Sequence, residues 1–132
     1  MQPLSQPEAL IQQAQQARKA GQLYQAAGLY SQAAELYRAA GHELRLAHTL
    51  RHAADVLRDD GKLAQAEPLY LEALALYRAH PEAPHLDLAN ALRPLALLRE
   101  AQARQLWTEA RDLYDSVGVE AGVNECSQHL QS

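Results

Sequence analysis

The sequence predicts an all-α fold assembled from repeated helix pairs, and three observations carry that prediction. Eleven of the nineteen residues from Gly21 to Ala39 recur forty positions later, between Gly61 and Ala79. Phenylalanine is absent, alanine and leucine abound, and six glycines and six prolines punctuate the chain. Between those breaks the apolar residues fall three and four apart, the period of a helix face. Repetition at a spacing of roughly 20–50 residues marks a solenoid, in which each unit buries its apolar face only by stacking on the next. Such chains work as binding surfaces.

Size and charge narrow the function further. A chain of 132 residues reads as one domain, 1–132, long enough to bury a continuous core. Its longest strongly apolar run, Leu95-Ala96-Leu97-Leu98, falls far short of the ~20 residues that cross a bilayer. The start, Met1 to Pro7, has neither the basic residues nor the apolar stretch of a secretory signal. The single Cys126 has no partner for an internal disulfide, so a cytoplasmic location is expected. A formal net charge of −4 disfavours sequence-independent binding to nucleic acid or to an anionic membrane.

The first helix is predicted to begin near Pro7 behind Ser5 or Gln6, because proline at a first helical position loses only a donor that has no partner there. Gly21 ends it, with Leu10, Ala14 and Ala17 along one face. A second helix spans about Leu23 to Ala39 and carries Ala26, Leu29, Tyr30, Ala33, Leu36 and Tyr37, an alternation of small and large residues that lets helices approach closely. A third runs from about Glu43 to Asp59 with Ala47, Leu50, Ala54 and Leu57 inward, and a fourth from Leu63 to Arg78. Asp59-Asp60-Gly61 is a helix-ending turn between them. His80-Pro81-Glu82-Ala83-Pro84-His85 breaks the chain most clearly.

Gly61, Leu63, Ala66, Tyr70 and Ala73, preceded by Leu50, Ala54 and Leu57, resemble the tetratricopeptide repeat, a helix-turn-helix with small residues where helices cross. The unit is longer than the ~34-residue form. The string Ala66-Glu67-Pro68-Leu69-Tyr70, followed by Glu72-Ala73-Leu74 and His80-Pro81, is similar to the longer repeats of kinesin light chains and related bacterial proteins. That resemblance implies repeats at about 7–40, 43–80 and 86–117 and a capping helix at 119–130. It also implies a right-handed stack whose concave groove, lined by the first helix of each pair, binds peptides or partner proteins.

The third repeat departs from the pattern. Its first helix aligns with the preceding repeat at an offset of 42, through Ala47/Ala89, Leu50/Leu92, Arg51/Arg93, Ala54/Ala96 and Val56/Leu98. Its second helix aligns at 37, through Ala66/Ala103, Leu69/Leu106, Tyr70/Trp107, Ala73/Ala110, Leu76/Leu113 and Tyr77/Tyr114. Five residues are missing between the two, and they are the turn. No Gly, Asn, Asp, Ser or Pro lies between Leu95 and Trp107, where strong helix formers follow one another. The spacing of Leu92, Ala96, Arg99, Ala103, Trp107, Ala110, Tyr114 and Val117 keeps one stripe across the junction. These features predict a single helix from about Leu88 to Val117, with Pro94 as a place to bend. The alternative is a short irregular bend that keeps the hairpin. A helix that never turns leaves its apolar stripe for a second copy of the chain, so a domain-swapped homodimer is expected.

On the third helix the side opposite the core presents His48, Arg51, Asp55, Arg58 and Asp59, and family resemblance makes this the groove side. The same register offers Ile11, Gln15 and Arg18 on the first helix and Asn90, Arg93 and Leu97 on the long one. The candidate partner-binding residues are therefore Arg18, His48, Arg51, Asp55, Arg58, Asn90 and Arg93. Four arginines face only Asp55 and Asp59, so a locally basic groove for an acidic peptide is expected, an arginine fork holding a carboxylate in two parallel bonds. A solvated helix face with no specific ligand is the plainer alternative. Related domains grip peptide backbones with paired asparagines; here Arg51/His52 and Arg93/Pro94 stand at those places.

Other chemistry has weak candidates. His48, His52 and Asp55 share one helical side, but no adjacent glutamate and no further strong ligand accompany them, so no metal is expected. Tyr30, Tyr37, Tyr70, Tyr77 and Trp107 occupy repeat-core places, which favours packing over base stacking. Cys126 lies on an apolar stripe with Val119, Val123 and Leu130 and reads as a small buried hydrophobe. Catalytic residues and cofactor motifs are missing from this reading. The functions left are a protein-interaction adaptor and, from a different class, an element that assembles with itself through the long helix.

Overall fold

A computed structural model describes residues 3–131, and among them six helices and no strands occur. They are α1 (Gln6–Lys19), α2 (Leu23–Ala40), α3 (Glu43–Asp59), α4 (Leu63–Ala79), α5 (His85–Ser116) and α6 (Glu120–Leu130). None is long and apolar enough to cross a membrane. At the start of α1 the Ser5 hydroxyl accepts the Glu8 backbone N–H at 3.3 Å and donates to the Glu8 carboxylate at 2.8 Å. Ser5 thus caps one free amide of the first turn, and Glu8 three residues later holds the capping hydroxyl in place.

Four helix ends share one device. Gly21, Gly41, Gly61 and Gly118 sit at φ of 74–77°, the left-handed region that a side chain resists. Behind each, the next residue's N–H returns to a carbonyl five residues back: Gln22 to Ala17, His42 to Tyr37, Lys62 to Leu57 and Val119 to Tyr114. This is the Schellman arrangement, which satisfies carbonyls that the helix end leaves free. No such glycine lies inside α5, and the helix runs unbroken through Pro94 for 32 residues. It starts three residues earlier than the sequence predicts, at His85, because the break at Pro81 and Pro84 ends sooner than expected.

The chain divides into two compact units, one ending at Leu95 and the other beginning at Ala96. Within the first, α1 packs on α2, α2 on α3 and α3 on α4. One cluster gathers Ala14, Ala17, Ala26, Ala27, Tyr30, Ala53 and Val56. A second gathers Ala34, Tyr37, Leu46, Ala47, Leu50, Ala73, Tyr77 and Ala91. Alanines occupy the crossings and tyrosines fill the space between them; each buried ring removes about 150–250 Å² from water, which at roughly 25 cal/mol per Å² makes the tyrosines the largest single contributors.

Two expectations need correction here. Leu57 packs half-buried against the first cluster, but Val56 beside it is the fully buried residue at the end of α3, because α3 is covered by both α2 and α4 and so buries more than one stripe. On the first part of α5 the buried positions are Ala91, Pro94, Leu95 and Leu98, whereas Leu92 and Ala96 of the predicted stripe are exposed.

In the second unit, the distal part of α5 pairs with α6. The rings of Trp107 and His129 stack with centroids 3.7 Å apart and planes 6° from parallel. Cys126 is buried, as its apolar register predicts, and Val123 and Leu130 are half-buried. Val119 precedes α6 and is exposed, so it is not part of that face.

Candidate functional site

The polar side of α3 meets the hydroxyl ends of buried tyrosines from the neighbouring helix. Tyr70, fully buried by its ring, donates its hydroxyl to the Asp55 carboxylate. Two turns along, the Tyr77 hydroxyl lies 2.9 Å from His48 Nδ1, and His48 Nε2 lies 3.4 Å from Asp87 at the start of α5. With the Nε2–H directed at Asp87, Nδ1 accepts from Tyr77. Burial raises the pKa of both hydroxyls above the ordinary tyrosine value; Asp55 pushes Tyr70 further up, while Arg51 opposes the rise at Tyr77. Tyr30 is raised by burial too, against the pull of Arg18. His48 and Asp55 therefore anchor the repeat core as well as facing outward.

The arginines are more engaged than the spacing alone suggests. Arg18 reaches from α1 to Asp59 at 3.0 Å. Arg51 lies 3.7 Å from Asp55, and Arg58 lies 3.9 Å from Asp55 and 3.7 Å from Asp59. Two carboxylates thus serve three guanidinium groups, which leaves one positive charge in excess. The expected open basic surface is in fact a half-buried network, because α3 sits between two helices and its charged side chains are drawn into the seams. Asn90 and Arg93 are exposed, and no ion pair holds Arg93 among the described residues.

Two buried nitrogens in this network, Arg51 Nε and His52 Nδ1, have no hydrogen-bond partner among the described residues. The His52 ring stacks on Tyr30, centroids 5.7 Å apart at 17°. Burial pushes its pKa below the ordinary histidine value, and the Arg51 charge beside it pushes the same way. A buried polar atom without a partner costs about 1–3 kcal/mol, so this pair is a weak point in the network. No three metal-ligating side chains converge among the described residues.

Between α1 and α3 a shallow pocket of about 320 Å³ opens, lined by Glu8, Ile11, Tyr37, Arg45, His48 and Thr49. Its floor is apolar and its rim is charged. Of the candidate residues only His48 lines it, and Ile11 belongs to the register identified on the first helix. Arg45 and Thr49 are missed by the sequence reading, although Arg45 stands one turn before His48 on the same side and this spacing could have found it. Thr49 is hidden because its hydroxyl turns back to the Arg45 carbonyl at 2.7 Å. Arg45 is exposed and unpaired among the described residues.

Compared with known proteins, the chain matches no protein-family model and no curated sequence.

Proposed function

We propose that this chain is a protein-interaction scaffold of the tetratricopeptide type, a stack of helix pairs whose first helices present a concave face to an extended acidic segment of a partner. The pocket between α1 and α3 carries this reading: it offers an apolar floor, Ile11 and Tyr37, beside an unpaired guanidinium, Arg45. A peptide side chain fits the floor while a neighbouring carboxylate meets the arginine fork. Arg93 adds a second free charge on α5. Arg18, Arg51 and Arg58 hold the face in shape through Asp55 and Asp59 and contribute a single surplus charge. The lone cysteine, Cys126, fits a cytoplasmic setting.

Fluorescence polarisation with a labelled oligoglutamate peptide and its glutamine counterpart tests this. The glutamate peptide binds more tightly, loses affinity as salt rises, and is weakened by Arg45→Ala together with Arg93→Ala at unchanged helical content. Equal binding of the two peptides, or binding by neither, overturns the acidic-groove reading.

A further inference from the structure

The third helix pair is present in the sequence and unmade in the chain. In the second pair, Ala47, Leu50 and Ala54 of α3 are buried, as are Ala66, Tyr70, Ala73 and Tyr77 of α4. Their counterparts on α5 are not. Ala89, Leu92 and Ala96 are exposed, Ala103 is exposed, Trp107 and Ala110 are only half-buried, and Tyr114 is 43% accessible. Leu106 and Leu113 stand at 66% and 62%, where the corresponding Leu69 and Leu76 pack against the core clusters. The first face is therefore exposed, the second is covered only in part by α6 through Trp107 and Tyr114, and both lie along one uninterrupted helix without a turn residue between them.

We propose that a second copy of this chain covers them, so that the protein is a two-fold dimer in which each protomer lends the distal half of α5, with α6, to the other. The internal repeat identifies the occupant: the face that fits Ala89, Leu92 and Ala96 is the one encoded downstream in the same helix, between Ala103 and Tyr114. It also sets the register. The two contacts that tie α3 to α4 join Asp55 to Tyr70 and His48 to Tyr77. Moved by the repeat offsets, they join Leu97 to Trp107 of the second copy and Asn90 to Tyr114 of the second copy. Trp107 gains an apolar partner, and the Asn90 amide accepts the Tyr114 hydroxyl. The two α5 helices run antiparallel about a centre near Gln102, where Glu100 of each copy meets Arg104 of the other. Opposite charges meet there, and no like pair falls at the centre.

This inference goes beyond the groove reading and stands on the repeat alone, so neither fails with the other. Light scattering over a range of concentrations gives twice the 14.6 kDa chain mass; a chain that stays monomeric at the highest attainable concentration overturns the proposal. Inserting Asp-Asp-Gly-Lys-Leu between Arg99 and Glu100 restores the missing turn and converts the dimer to a monomer of undiminished helical content. A dimer that survives the insertion uses another face, and the exchange is then wrong. Asn90→Cys with Tyr114→Cys in a Cys126→Ser background separates the arrangements directly. Oxidation joins two chains in the natural-length protein and closes a loop within one chain after the insertion; a bond within the natural-length chain overturns the proposal.

Discussion

Gly122 of α6 lies so close to Tyr114 of α5 that a methyl group on its α-carbon would stand 2.5–2.7 Å from three atoms of the ring. Those distances include the ring atom nearest the backbone, so the ring cannot simply swing aside and the two helices must part. Glycine inside a helix is otherwise unfavourable by about 0.5–1 kcal/mol relative to alanine. Overpacking by one methyl costs about 1–3 kcal/mol and wins. Gly122→Ala should therefore lower the stability of the second unit. Trp107, the only tryptophan, stacks on His129 in that unit, and its fluorescence during denaturation follows the effect.

Tyr70 and Asp55 should behave as one unit. Tyr70→Phe removes the donor and costs about 1 kcal/mol, while Asp55→Ala strands a buried hydroxyl and costs about 1–3 kcal/mol. The double variant should lose less than the two single losses together, because each change removes the same bond. Chemical denaturation of the four proteins measures the coupling; strict additivity would show that the hydroxyl finds another partner.

His52 makes stability depend on pH. Its native pKa is lowered, first by burial and then by Arg51, against the opposing pull of Asp55. The unfolded chain therefore binds this proton more readily, and stability rises with pH. The contribution is full above the unfolded value of about 6.5 and is lost as pH falls below it toward the native pKa. His80 acts with the opposite sign: Glu43 and Glu82 raise its pKa, so its contribution is present below about 6.5 and fades as pH rises through the native value. His52→Phe keeps the stack on Tyr30 and removes the titrating group. The urea midpoint at pH 7.5 minus that at pH 5.0 should then be smaller than in the parent, whereas an unchanged value would place the pH dependence elsewhere.

The repeat alignment itself is open to test through Ala73, fully buried in the cluster that joins α2, α3 and α4. Leucine there overfills a crossing of two helices and should destabilise by about 1–3 kcal/mol. An unchanged thermal transition would mean that the alignment places the wrong face inside.

Local chemistry decided much of this protein in advance. Helix propensity, the left-handed conformation of Gly21, Gly41, Gly61 and Gly118, and the spacing of alanines with tyrosines each act within a few residues, so they are legible in one dimension. The uninterrupted α5 is legible for the same reason, since a stretch of strong helix formers without a turn residue has no cheap place to bend. Which face of α5 is covered, and which arginines are free, depend on neighbours that only the packed helices define. Arg18 meets Asp59 across 41 positions of sequence, and Asp55 is taken by Tyr70 from the next helix. The close approach at Gly122 belongs with these. A glycine in an otherwise helical stretch reads as a weak point until Tyr114 is seen against it, because the free energy of a contact lies in the distance between helices and no single segment carries that distance.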